Sequence, residues 1–580
     1  MLDRLKENVN NKSIFVHRKK INNTILHRYL WLAMYLLILL DMGGLKPHTV
    51  YFMCFMSLLY ILYIFRKSGY LFLDCEQCFA CKCLIVFGGI LSVFVGIDRG
   101  ESVFGLIRLS TILIAGIAIH QLGEDDKNFF LRKIPILGMM LIAGCIFHRF
   151  TFFKGWISAG GRLNGAFEYS NTLALFLLLG IISAEHLYRK EKRAIQLILV
   201  IGILGTGSRT VFSVLCGYLF FYFIKYKGKN KYILLAFLIV IGSVCLITVL
   251  GVNLYGINRF LKINIHASTF QGRLLYWEDA VRMLAKRPAG LGYMGYFYFQ
   301  QSEQTGVYSV RFVHNEWLQW LLDYGILSGI SLFIYLYLKC RQSPMSVPDK
   351  ELLCVIGVCS FFDFHLQFFA IVFIVLLLIP KGDMIWRSKW RRKRKGWRRG
   401  LPIVTGLLFC LCVTVGIAEY YANREDYRQA VKWNPFSAQY KQEYLLQSED
   451  LDTANIYADK LLRENQYLYA AYMIKSNAAA KNGHLHDFIT NRRQVLKLRK
   501  YKISEYEDYF KILFNWYLDA SEQKNVAEME ECLAAMEEIP ALIMKVKKET
   551  SFRAYCIQEK PDLSFDQEYI CLMRALSGTR

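Results

Sequence analysis

Apolar residues recur along this chain in blocks, several close to the roughly 20 residues that carry a helix across a bilayer, each bounded by a short polar segment. The blocks place spans near 25–40, 49–65, 83–97, 102–119, 134–150, 171–187, 194–205, 210–224, 232–250 and 316–338. The block 351–380 reads as a tight helical hairpin turning around Asp363, Phe364 and His365, and 401–420 reads as a last crossing. The pattern predicts an all-α, polytopic membrane bundle of about thirteen spans. After residue 420 the periodicity becomes that of water-exposed helices, rich in Tyr, Lys, Glu and Ala, which predicts a separate helical domain over 421–580.

Charge supplies the orientation. Basic residues crowd alternate loops: Arg18, Lys19 and Lys20; Arg66 and Lys67; Arg132 and Lys133; Arg189, Lys190, Lys192 and Arg193; Lys225, Lys227, Lys229 and Lys231. By the positive-inside rule those loops are cytoplasmic, as is the basic run 387–399. The expected organisation is a cytoplasmic segment 1–24 and a transmembrane domain 25–380 with a long outer loop at 251–315. A basic cytoplasmic loop 381–400, a final helix 401–420 and an extracytoplasmic domain 421–580 follow. The first 20 residues are polar and basic, so no cleaved signal peptide is expected.

Composition agrees, with 54% of the 580 residues hydrophobic. The net charge of +24 belongs to the membrane half, because acids and bases nearly balance after residue 421; it reads as topology and anionic-lipid contact, not nucleic-acid binding. Most of the 16 cysteines fall in spans. Cys75, Cys78, Cys81 and Cys83 have a metal-like spacing but no second ligand group, so they read as the Cys-rich start of a span, with no metal or cofactor expected. The helix–turn–helix pattern from AVKWNPF to RRQVLKL resembles degenerate tetratricopeptide repeats, with a plain helical bundle as the alternative. As repeats, they offer a surface for an envelope protein partner.

The chemistry concentrates in polar segments beside span ends. Val313-His314-Asn315-Glu316-Trp317 puts a histidine where a long loop enters a span. Arg162 in SAGGRLNGAFEYSN, Arg209 in GTGSRT, Arg273 in QGRLLYWEDAVRML and Arg311 all fall on the outer side in polar settings. A guanidinium near lipid is costly unless an anion compensates it, and its fork matches phosphate oxygens, so a shared anionic ligand explains the four together. Imidazole exchanges protons near neutral pH, which suits His314 to general-base work. Glu316 and Asp279 are candidates to orient these groups, and Trp317 and Tyr293 offer aromatic faces on which a ligand could stack.

These motifs, in this order, resemble the O-antigen ligase and polymerase family of bacterial membrane glycosyltransferases over roughly residues 80–380. The resemblance implies transfer of a glycan from a polyprenyl (undecaprenyl) diphosphate carrier to an acceptor hydroxyl at the outer face of a bacterial cytoplasmic membrane, without metal or nucleotide sugar and with inversion. It assigns the base to His314 and the diphosphate clasp to Arg209 and Arg273, joined by Arg162 and Arg311. Polymerisation of surface or capsular repeat units is the first reading. Ligation of glycan to a lipid, protein or wall acceptor is the alternative, and a lipid-linked glycan transporter or a scaffold is a third. The polar residues gather at one face without internal duplication, which favours catalysis over transport.

Overall fold

The computed structural model describes residues 25–187, 189–225, 267–342, 345–381, 384–387 and 395–578. The expected segment 1–24, the span at 232–250, the start of the 251–315 loop and residues 388–394 of the basic run lie outside these. Of the described residues 78% are helical, with 22 α-helices among them, so the expected all-α class holds.

The membrane half contains α1 (Ile25–Leu40), α2 (Pro47–Ser68), α3 (Glu76–Val95), α4 (Arg99–His120), α5 (Glu124–Ile146), α6 (Ser170–Ser183), α7 (Arg189–Thr206) and α8 (Arg209–Lys225). It continues with α9 (Ser268–Lys286), α10 (Gly295–Glu303), α11 (Glu316–Gln342), α12 (Val347–Phe362), α13 (Phe369–Leu378) and α14 (Lys395–Ala422). Six of these, α2 to α5, α11 and α14, are long and apolar enough to cross a membrane. Local signals set their ends: Pro47 opens α2 and left-handed Gly69 closes it, while Asp98 Oδ1 accepts from Glu101 N at the start of α4.

Lipid offers little hydrophobic drive between helices, so their order depends on close packing and on satisfying polar groups. The helices α6 and α13 are apolar nearly all round and buried nearly all round, which makes them the centre of the bundle. Their first residues share one end, where Thr172 Oγ1 and His365 Nδ1 lie 3.0 Å apart. Between α12 and α13 the chain breaks over 363–368, where the sequence places its turn. Arg108 of α4 is buried there and donates to the carbonyls of Leu366 (2.9 Å) and Gln367 (3.0 Å), satisfying backbone that no helix serves.

The opposite end is closed by ion pairs and by a ladder that the apolar pattern does not signal. Asp74 meets Lys339 at 2.7 Å and Lys82 at 2.5 Å, and Lys127 meets Asp349 at 2.8 Å. Strand β1 (Tyr70–Leu73) pairs antiparallel with β2 (Met384–Arg387), Tyr70 opposite Arg387. On the other edge of β1 the Gln121 amide bonds both the N–H and the C=O of Phe72, acting as one rung of a third strand.

The glycine-rich run 287–295 has a structural task. Helix α11 kinks at Gly325 (φ 80°, ψ 168°), and the run fills the break, with Leu291 N donating to Leu322 O at 2.6 Å and Ile326 N to Pro288 O at 3.0 Å. The backbones touch, since a Cβ on Gly325 would lie 2.5 Å from Ala289 O, and one on Gly290 would lie 2.7 Å from Gly325 N. Gly325→Ala is therefore expected to destabilise the chain by about 2–4 kcal/mol, read as a lowered thermal midpoint in detergent. Gly406→Ala, where nothing lies within 4 Å, is the control and leaves the midpoint in place.

Beyond α14 follow α15 (Tyr427–Trp433), α16 (Ala438–Leu446), α17 (Leu451–Glu464), α18 (Tyr469–Lys481), α19 (Leu485–Leu498), α20 (Ile503–Glu522), α21 (Val526–Glu549) and α22 (Gln567–Gly578). Buried alanines, Ala454, Ala458, Ala470 and Ala471, let neighbouring helices approach closely. This region is docked onto the bundle: Asn465 Nδ2 donates to Asp98 Oδ2 (3.2 Å), Lys500 Nζ to Ser302 O (2.9 Å) and Ser551 N to Thr305 O (2.9 Å).

Candidate active site

The local sequence around His314 fixes its backbone. Asn315 caps α11 by accepting from Leu318 N (3.0 Å), and Gln319 Oε1 accepts from Val313 N (2.9 Å) while its amide donates to Asp323 (2.9 Å). The Trp277 indole donates to the carbonyl of Val313 (3.2 Å). Between these anchors His314 takes a left-handed conformation (φ 54°), uncommon for a residue with a side chain and sustained by its surroundings.

That conformation sends the imidazole to Asp363, with Nδ1 3.0 Å from Oδ1. The His314 side chain is 20% exposed and that of Asp363 is 2% exposed. Asp363 is the hub of the site. Its carboxylate also accepts from Tyr169 Oη (2.9 Å), Asn171 Nδ2 (2.7 Å), Arg273 (3.2 Å) and Phe364 N (3.0 Å). Burial alone would raise the pKa of Asp363, but His314, then Arg273, outweigh it and hold the carboxyl well below the usual range, so it is ionised at neutral pH. Burial pushes the nearby His365 imidazole down to about 4, which leaves it neutral against Thr172.

Three of the sequence-selected arginines approach this hub from different elements. Arg273, on α9, donates to Asp363 and to Thr210 Oγ1 (3.2 Å) at the start of α8. Arg209, one residue earlier on α8, donates to Thr269 Oγ1 (2.6 Å) in the first turn of α9, so the two helix starts are cross-linked. Arg162 donates through Nε to Thr206 O (2.7 Å) and through its fork to Asn171 Oδ1 (3.0 Å). Asn171 thus joins Arg162 to the carboxylate that holds His314 and Arg273. The fourth, Arg311, lies apart, over the Phe312 ring at 5.5 Å and lining a separate cavity.

Residues 194–334 match the family model described as O-antigen ligase. This segment is similar to an O-antigen ligase domain. Within this domain fall Arg209, Arg273 and His314; Arg162 and Asp363 lie outside the matched residues and come to it through the fold. No curated protein and no solved structure matches the chain. No comparison supports tetratricopeptide repeats in the C-terminal region.

The other sequence-selected residues have packing partners or lie in helix starts. Asp279 is buried and accepts from Thr305 N (2.8 Å), Thr305 Oγ1 (2.8 Å) and Tyr308 Oη (2.6 Å), pairing also with Arg282. Glu316 accepts from the Gln367 amide (2.7 Å), Trp317 stacks on Phe333, and buried Tyr293 meets Phe104 edge-on. Cys75 Sγ caps α3, Cys78 and Cys81 are buried, and Cys83 is exposed. Among the described residues no three His, Cys, Asp or Glu side chains are grouped to hold a metal.

The sequence reading left out Asp363 as anything but a turn, and Tyr169, Asn171, Thr210 and Thr269 altogether. A usable signal exists for three of these. Tyr169 and Asn171 are polar residues standing at the start of an apolar helix, and Asp363 and His365 interrupt an apolar run, the positions where polarity near lipid marks function.

Proposed function

We propose that this chain transfers a glycan from a polyprenyl diphosphate carrier to an acceptor hydroxyl at the outer face of the membrane, extending a surface polysaccharide by its repeat units. One observation carries the reading: a single buried carboxylate, Asp363, holds both a partly exposed histidine and an arginine whose neighbours bring two more arginines. In this mechanism Asp363 fixes the His314 tautomer with Nδ1–H toward the carboxylate, and Nε2 takes the proton from the attacking hydroxyl. The acceptor oxygen forms its bond to the anomeric carbon as the bond from that carbon to the phosphate oxygen breaks. The diphosphate leaves on the lipid, and Arg162, Arg209 and Arg273 stabilise the charge that gathers on it. Direct displacement inverts the anomeric centre.

Topology supports the assignment of sides. Helix α11 runs from Glu316, beside His314, to Lys339 and Arg341, about 35–40 Å away at 1.5 Å per residue. The basic pairs Arg66–Lys67 and Arg132–Lys133 belong to that far, cytoplasmic end by the positive-inside rule. The docked C-terminal region sits at the end that holds His314.

The test is to incubate purified protein with its lipid-linked repeat unit, without metal or nucleotide sugar, and resolve products by size. A ladder that vanishes in His314→Ala supports polymerisation. Ligation is the second reading, favoured by the description of the matched family; it gives no ladder but a single addition to a lipid, protein or wall acceptor. Absence of both outcomes removes the transferase reading. Within it, Arg273→Lys keeps the charge but loses the fork between Thr210 and Asp363, and is expected to lower kcat/KM for the donor by about 10–100-fold.

A further inference from the structure

At the joint between the bundle, the 287–313 segment and the C-terminal region lies a cavity of about 510 Å³ whose lining includes neither Asp363 nor His314. Its wall mixes three kinds of group. Rings of Tyr51, Phe104 and Tyr440 line it; the carboxylates of Glu101 and Glu419 and the guanidinium of Arg311 reach it. Arg311 is exposed and forms no ion pair among the described residues. Glu419 spends Oε2 on His48 Nδ1 (2.9 Å), while its buried Oε1 has no hydrogen-bond partner among the described residues. Aromatic contacts join the wall to the reaction centre: Phe312, next to Arg311, packs on Phe364 at 5.0 Å, and the Phe364 ring meets His314 at 5.1 Å.

A lipid tail would desolvate both carboxylates and the guanidinium without replacing their hydrogen bonds, which disfavours it strongly. A simple anion or cation would face charges of both signs. A sugar ring has apolar C–H faces and a rim of hydroxyls, each able to donate to a carboxylate and accept from a guanidinium, so it satisfies the aromatic and the charged parts of this wall together. We propose that this cavity, built jointly by the start of α4, Arg311, the end of α14 and α16, binds a saccharide segment of the glycan, apart from the diphosphate clasp. The α16 contribution makes the C-terminal region part of the glycan site, beyond its docking role. The identity of the saccharide rests on the proposed glycan transfer.

The probe is the oligosaccharide freed by mild acid from the lipid-linked glycan of the host, which carries neither diphosphate nor polyprenyl. Its binding to the full-length chain in detergent is measured by calorimetry. The wild type is expected to bind it; Tyr440→Ala and Arg311→Gln weaken binding by about 10-fold or more, and His314→Ala leaves it in place. Arg311→Gln, at an exposed position, keeps the test decisive should Tyr440→Ala fail to fold. No binding by the wild type at millimolar probe, or equal binding by wild type and a folded cavity variant, overturns the site. Transfer that depends on His314 alongside unaltered cavity variants removes the cavity and keeps the transferase. Binding that depends on the cavity in a chain without His314-dependent transfer does the reverse.

Discussion

His314→Ala is expected to slow glycan transfer by about 10²–10⁴-fold, the usual contribution of a positioned general base, with some loss of stability, because buried Asp363 loses a partner, and little change in donor affinity. The side chain is held by one bond, Nδ1 to Asp363, and its backbone is fixed independently by Trp277, Gln319 and the Asn315 cap. Removing the imidazole therefore leaves the helix start intact and takes away the proposed proton acceptor together with one partner of Asp363. Single-turnover rates with lipid-linked glycan read the effect, alongside the thermal midpoint. A rate within about threefold of wild type at full folding takes the base role away from His314.

Asp363→Asn acts on more of the site. The amide keeps the shape of the carboxylate but turns one of two acceptors into a donor, facing Tyr169, Asn171, Arg273 and His314, which all use the acceptors now. It also leaves Arg273 without its negative partner in a buried setting. Loss of transfer by about 10²–10⁴-fold is expected, from a wrong histidine tautomer and a displaced arginine, together with about 3–5 kcal/mol of stability. The pH dependence has a definite sign. Because the pKa of Asp363 is depressed in the folded chain, the stability from its charge is fully present above the ordinary aspartate value of about 3.9 and fades as the pH falls below it. The thermal midpoints of wild type and Asp363→Asn thus converge on acidification below about pH 4 and stay apart at neutrality. Midpoints equally far apart at acidic and neutral pH would show that charge at Asp363 does not stabilise the fold.

Hydropathy made the membrane class legible because each span is a local run, and the hairpin at 351–380 followed from charge parity alone. The arginines and His314 were legible because a cation or a titrating group beside lipid is expensive and must have a use. The partner that His314 and Arg273 share was not, since Asp363 lies 49 residues from His314 and 192 from Asn171. Such pairings belong to the order in which α6 and α13 pack at the centre, and no local pattern encodes that order. Asp279 shows the opposite error of perspective: an acid near the arginine motif, it serves to tie the 305–308 turn to α9. The β1–β2 ladder escaped notice because four residues carry too little periodicity to separate strand from loop.

The contact between the 287–291 backbone and the kink at Gly325 has a mechanical meaning. Arg273 stands on α9 and His314 just ahead of α11, yet the chain leaving α9 is seated in the break of α11 without a side chain between them. Any shift of one helix along its axis must carry the other, so Arg273 and His314, the diphosphate ligand and the proton acceptor of the proposed mechanism, travel together as one strut. In that mechanism, adaptation to different acceptors comes from the surfaces around this strut and not from a hinge within it.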